Sequence, residues 1–365
     1  TYRSLGLYDD AESLLQEAIA QVPASSEPAL RAQLLSDLGW LHAFQGRHED
    51  SAARLRDSIE LVRSAQADEA QETLINALQR LATPLINLAE FDAAENAARE
   101  ALALNAEQSP VNLERQAGLQ SLLASVAFGR GRYDEAQALY RATLETQRAL
   151  YGPEHTAVGV GLSNLATVAF RKGDLTEAER LYRQAIDLQR AYFGVDNAQV
   201  AAPLASLGLA LRRQGRGAEA LATLREAAAI QVGWHSPGHP LAVQAALDAV
   251  EVALLIQADA SDELQSMTPA LAALAPDSVA HCRGLAAQAQ ARLPPSDVEL
   301  RGAVDCLEAA RAPAAVRAQA WLALARQQPE HLPTAELQIN ALQPRDGLLD
   351  AALLRLKEGT ATAMD

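Results

Sequence analysis

Residues Tyr151–Gln189 read YGPEHTAVGVGLSNLATVAFRKGDLTEAERLYRQAIDLQ, and this stretch decides the fold. Lys172-Gly173-Asp174 divides it into two amphipathic runs, and a glycine there takes the positive φ that closes a helix at little steric cost. Ala166 in the first run and Ala178 in the second lie twelve residues apart. Small residues at both places let two helices of a hairpin cross closely. Tyr182, four beyond Ala178, fills the space above, and another small residue follows at Ala185. The pattern predicts helices over 153–172 and 175–192.

Outward from this stretch the same arrangement recurs. GLYDDAESLLQEAI, GRHEDSAARLRDSI, AEFDAAENAAREAL, GRYDEAQALYRATL and GRGAEALATLREAA repeat its second half, with the small anchor at Ala11, Ser51, Ala94, Ala136, Ala178 and Ala220. The intervals are 40, 43, 42, 42 and 42 residues, a regularity that chance does not produce. Twelve before the later anchors stand Gly39, Ala82, Ala124, Ala166 and Gly208; four after them stand Leu55, Ala98, Tyr140, Tyr182 and Leu224. First helices are expected over 28–45, 68–89, 110–130, 153–172 and 197–214. Second helices are expected over 8–22, 48–65, 91–106, 133–150, 175–192 and 217–233. Asp9, Asp92, Asp134 and Asp174 fall at or near helix starts, where a carboxylate suits the helix dipole. One hairpin cannot bury its own apolar face, so neighbours must stack. Pro84 and Pro203 lie inside first helices, where a lost hydrogen bond costs about 3 kcal/mol or bends the helix. A tolerated kink is the expectation at both, with a hinge as the alternative.

These residues resemble the tetratricopeptide repeat pattern position for position. The 42-residue period and the linker Tyr151-Gly152-Pro153-Glu154-His155 are similar to the kinesin light chain type. The linker recurs at Phe193–Val200 and His235–Val243, with His155, Asn197 and His239 in one place and capping as the expected role of the histidines. The resemblance covers about 1–243. It implies an all-α fold, a right-handed α-α superhelix or solenoid. On this reading 1–27 is a truncated first repeat holding only a second helix, and 28–240 carries five full units. The segment 241–365 then forms divergent hairpins that cap the array, with a disordered tail from about 359. Thr1–Leu7 reads as the end of a cut helix, and the chain as a piece of a longer protein.

Composition agrees. Hydrophobic residues make up 49% of the 365 and aromatics only 4%, with Ala and Leu prominent, which favours helix over strand. The net charge of −15 argues against binding a phosphate backbone or an anionic membrane surface. No apolar run approaches the ~20 residues of a membrane span.

Beyond Leu241 the period fades, and prolines punctuate helices expected over 241–258, 261–275, 277–292, 296–311, 313–328, 333–342 and 346–358. Cys282 and Cys306 stand twelve residues either side of Pro294. If Pro294-Pro295 is the turn of an antiparallel hairpin, the two thiols lie at equal height and a disulfide is sterically open. Two buried free thiols are the alternative. A bridge would point to an oxidising compartment such as the periplasm.

No catalytic constellation is evident: no nucleophile elbow, P-loop or CxxC, and Gly129-Arg130-Gly131 reads as a hairpin turn. His235 and His239 are separated by Pro237-Gly238, so linker polarity explains them better than metal binding. Glu177 and Glu179 belong to a solvated helix face. No cofactor is expected, and an enzyme site hidden in 244–365 is the least favoured reading.

What remains is binding. The resemblance implies that first helices line a concave groove, with Gln33, Asp37, Trp40, Asn76, Arg80, Asn87, Ser121, Ser125, Asn164, Thr167, Arg171, Ser206 and Arg213 facing it. Gln79, Thr83 and Leu122 occupy equivalent positions. Such polar, mostly uncharged side chains suit the backbone of an extended peptide. Trp40 is the best single anchor, a packed core Trp being the alternative. Only Asn164 stands where kinesin light chains use groove asparagines, and the lysine–asparagine carboxylate clamp of chaperone-binding relatives is missing. The expected partner is a protein or extended peptide, with no nucleic acid and no direct membrane contact. Arrays of this period also resemble those that follow the kinase domain in bacterial serine/threonine kinases. That likeness implies a sensor module, periplasmic if the parent spans a membrane and otherwise cytoplasmic. A structural scaffold, dimerising through an exposed repeat end, is the alternative.

Overall fold

The computed structural model describes residues 8–23, 27–65, 70–108, 110–235, 239–276, 278–291, 297–343 and 345–362. Thr1–Leu7, Pro237-Gly238, Pro294-Pro295 and Pro344 lie outside the described residues. Among those described there are eighteen α-helices and no strand, and none of the helices is long and apolar enough to cross a membrane.

The chain forms two compact units, Thr1–Pro153 and Glu154–Asp365. The first holds α1 (Tyr8–Gln21), α2 (Pro28–Phe44), α3 (His48–Ala65), α4 (Ala70–Asn87), α5 (Phe91–Glu107), α6 (Leu113–Gly129) and α7 (Tyr133–Tyr151). The second begins with α8 (Thr156–Lys172), α9 (Leu175–Phe193), α10 (Ala198–Arg213) and α11 (Gly217–Trp234). It continues through α12 (Pro240–Leu255), α13 (Ser261–Ala272), α14 (Val279–Ala291) and α15 (Asp297–Ala309). Last come α16 (Ala314–Gln327), a 3-10 turn at Pro329–His331, α17 (Leu332–Asn340) and α18 (Gly347–Thr362). The repeat helices start and stop within about three residues of the places their period predicts. α18 runs to Thr362, so helix occupies four residues of the segment expected to be disordered from 359.

Within each unit consecutive helices pair as hairpins. The small residues do what their spacing predicts. A Cβ built on Gly39 would lie 2.8 Å from Leu55 Cγ, and one on Gly208 would lie 2.6 Å from Leu224 Cγ. Leu55 and Leu224 are themselves fully buried, as are the anchors Ser51 and Ala220. An alanine inside a helix ordinarily gains about 1 kcal/mol over glycine. Here overpacking, worth about 1–3 kcal/mol, opposes that gain. Gly208→Ala is therefore expected to lower stability, by up to about 2 kcal/mol in urea melts, and a stabilised variant would show the leucine yields freely.

Gly46, Gly131, Gly173 and Gly215 hold positive φ of 74–85° at the hairpin turns. The linker residues cap the helices that follow them. Nδ1 of His155 accepts from Ala157 N at 3.1 Å, Oδ1 of Asn197 from Gln199 N at 2.9 Å, and Nδ1 of His239 from Leu241 N at 3.3 Å. Asn112 does the same for Arg115 N, a cap one period before His155 that the sequence reading overlooked. Imidazoles of His235 and His239 stack at 4.1 Å rather than spreading around a common ligand. Pro84 and Pro203 are each carried inside a continuous helix.

In the second unit the divergent helices pack on the repeats, α12 against α10 and α11. Its α18 returns to pack against α10, α12 and α16. Gly347 lets it in: a Cβ there would sit 2.5 Å from Arg213 O and 2.9 Å from Gly215 N. Beside that contact lies a buried polar cluster. Arg212 donates to Asp346 Oδ2 (2.9 Å), Glu251 Oε2 (3.4 Å) and Gln319 Oε1 (3.1 Å). Arg283 donates to Glu251 Oε1 and Asp248 Oδ1, both at 2.6 Å. Sγ of Cys282 and Sγ of Cys306 are bonded, joining α14 to α15 across a Cα–Cα distance of 5.5 Å.

Candidate binding site

The first unit contains an open cleft of about 400 Å³ lined by Trp40, Asn76, Gln79, Arg80, Thr83, Gly118, Ser121, Leu122 and Gln147. Seven of the nine come from groove positions on α2, α4 and α6. Trp40 is half-buried, its ring edge-on to Phe44 with centroids 5.2 Å apart, so one face of the anchor lines the cleft. Charge is largely neutralised at the rim. Arg80 donates to Asp37 Oδ1 at 2.6 Å and Ser36 Oγ at 2.9 Å, and Gln33 donates to Asp37 Oδ2 at 3.2 Å. Asn76 turns its carbonyl to Arg115 at 3.4 Å. Asn87 bonds Thr83 O on the exposed end of α4.

Gly118 and Gln147 were absent from the groove positions read from sequence. Gly118 opens the floor. Gln147 reaches in from α7, and its Oε1 is buried without a hydrogen-bond partner. Its period could have revealed it: Asn105, Gln147, Gln189 and Gln231 recur every 42 residues, and each has a buried, unpartnered side-chain carbonyl oxygen.

Other expected groove residues serve the hairpins themselves. Ser125 Oγ donates to Ser121 O and meets Tyr140 Oη at 2.8 Å; Thr167 Oγ1 donates to Ser163 O and meets Tyr182 Oη at 2.9 Å. Burial raises the pKa of both phenols above the usual tyrosine value, while these hydroxyls pull the other way. In the second unit Asn164 and Ser206 are half-buried and Arg171 is exposed. Arg213 lies over the Phe170 ring at 3.8 Å and donates to Phe170 O at 3.3 Å, so it is held by its own fold. Burial, the largest influence, depresses its pKa. Glu177 and Glu179 are engaged in ion pairs with arginines on the helix surface. No cluster of three or more His, Cys, Asp or Glu suited to a metal occurs among the described residues.

Comparison with known proteins agrees with this fold. Among solved structures, BtubC (BKLC) from P. vanneervenii is 23% identical, covering 61% of this chain and 87% of that one at a TM-score of 0.49. A Rap protein complexed with Competence and Sporulation Factor is 14% identical, covering 89% and 80% at 0.59. The quorum sensor NprR from B. thuringiensis, in its apo form, is 13% identical, covering 84% and 83% at 0.55. At such identities the likeness speaks for the fold alone. No curated protein matches the sequence. The tetratricopeptide repeat family model matches residues 1–64, 115–191 and 158–232. The model therefore takes in the stretch Tyr151–Gln189, whose small residues set the helix crossings, and the chain belongs to the tetratricopeptide repeat family.

Proposed function

We propose that the cleft of the first unit holds an extended polypeptide segment, and that this interaction module is the sensor of a larger bacterial signalling protein, such as a serine/threonine kinase. The observation that carries the peptide reading is the open cleft of about 400 Å³, where uncharged amide and hydroxyl side chains of α4 and α6 stand beside Trp40 and Leu122. Amides of Asn76 and Gln79 and the hydroxyl of Ser121 suit a main chain, while Trp40 and Leu122 suit an apolar side chain. The Rap and NprR structures, of the same fold, are a factor complex and a quorum sensor, which supports a sensing role. The kinase parent rests on the 42-residue period alone.

The test is selection from a displayed random-peptide library on the full chain, followed by titration of the winners. Uncharged extended peptides with one bulky apolar residue are expected. Trp40→Ala should weaken them about thirtyfold, the ~2 kcal/mol of a hot spot, and Asn76→Ala about tenfold. Binders indifferent to both substitutions, or a library that yields none, would reject the cleft.

A further inference from the structure

The fold pairs its buried arginines: Arg212 and Arg283 each meet two carboxylates. Arg326 on α16 is the exception. It is half-buried, and among the described residues no carboxylate lies within ion-pair distance of it. Arg326 lines a pocket of about 90 Å³ together with Leu254, Gln290, Leu300, Ala323 and Gln327. A second cation is adjacent, since Arg355 of α18 donates to Leu255 O at 3.2 Å, one residue from the pocket wall. The C-terminal end of α12, worth roughly half an elementary charge, lies opposite and accepts from Arg355. Arg326 therefore brings a positive charge to the pocket that no carboxylate among the described residues balances, with Arg355 near enough to add to it. Burial, and then Arg355, press the pKa of Arg326 down, yet an arginine stays charged at neutral pH.

We propose that this pocket binds a small oxyanion, phosphate being the ion best matched to it. Guanidinium forks suit the oxygens of phosphate and carboxylate. Gln290 and Gln327 supply further N–H donors at the wall, and the apolar Leu254 and Leu300 limit hydration. The pocket has room for several waters, and so for a small hydrated ion. A tetrahedral oxyanion fits that space. The site belongs to the second unit and does not depend on the cleft around Trp40.

Isothermal titration of the full chain with sodium phosphate, at ionic strength matched by sodium chloride, tests it. Saturable phosphate binding is expected, weakened at least tenfold by Arg326→Met and severalfold by Arg355→Met. In phosphate-free buffer Arg326→Met should melt at or above the wild-type temperature, because an isolated half-buried cation is gone. Phosphate should then raise the melting temperature of wild type alone. If the methionine variant does not fold, Arg326→Lys keeps the charge without the fork, and a severalfold loss is expected. Competition by acetate would support a site for oxyanions as a class. Absence of saturable phosphate binding, equal binding by the Arg326 variants, or an equal response to chloride would overturn the proposal.

Discussion

Replacing Arg283 by methionine is expected to destabilise the chain by about 3–5 kcal/mol, among the largest effects open to a single substitution here. The side chain bridges Asp248 and Glu251 in an interior where the exposure of all three residues is at most 8%. Methionine fills similar volume but leaves Asp248 without its cation, and Glu251 with Arg212 alone. The carboxylates still oppose each other in a medium that hydrates neither. In wild type, burial disfavours the charge on Arg283, but Glu251 and Asp248 outweigh it and hold its pKa above the usual value. Burial also lifts the Asp248 carboxyl above its usual range, with Arg283 pulling it back. In the variant that restraint is gone, so Asp248 should take up a proton more readily. A carboxyl whose folded pKa is raised contributes stability on the acid side and loses it as pH rises through that pKa. The deficit of Arg283→Met should therefore be greatest at neutral pH and narrow as pH falls toward the ordinary carboxylate range near ~4. Urea melts of both proteins from pH 8 to 5 measure this. A loss under about 1 kcal/mol at neutral pH would mean the cluster is hydrated and weakly coupled.

Breaking the bond between Cys282 and Cys306 is expected to cost about 3.5 kcal/mol, the chain entropy regained when a loop of sequence separation 24 is opened. Cys282 is fully buried among Ala286, Ala303, Val304 and Leu307, whereas Cys306 is half-buried. Cys306→Ser is thus the cleaner probe, because a new hydroxyl there can still reach water. Intact mass of the unreduced chain should fall two hydrogens short of the reduced mass. Melts with and without reductant should differ for wild type and coincide for Cys306→Ser. A full-hydrogen mass under oxidising conditions would show that the thiols stay free.

Helix positions were legible because the signal is local and repeated. Ala166, Ala178 and Tyr182 define one hairpin, and five copies of that spacing leave little freedom for the rest. The cleft was partly legible for the same reason: Trp40, Asn76, Arg80 and Ser121 fall at fixed offsets from a small residue. Gln147 escaped because it lies on a second helix, outside the positions from which a groove is usually read. Ser125 and Thr167 read as groove hydroxyls, but each is taken up by a tyrosine fifteen residues later. The cluster around Arg212 was invisible. In one dimension Arg212, Glu251, Arg283 and Asp346 look like surface charges, and nothing local records that α18 brings the last of them home.

That return of α18 changes how the second unit can come apart. In an open array each hairpin touches only its neighbours, so ends fray and terminal units can be trimmed one by one. Arg212 and Asp346 are 134 residues apart in the chain. Deleting the chain from Asp346 onward would strip a counter-ion from α10, in the last regular repeat, rather than merely shorten the tail. Fraying is thereby converted into an all-or-none event for residues 154–365.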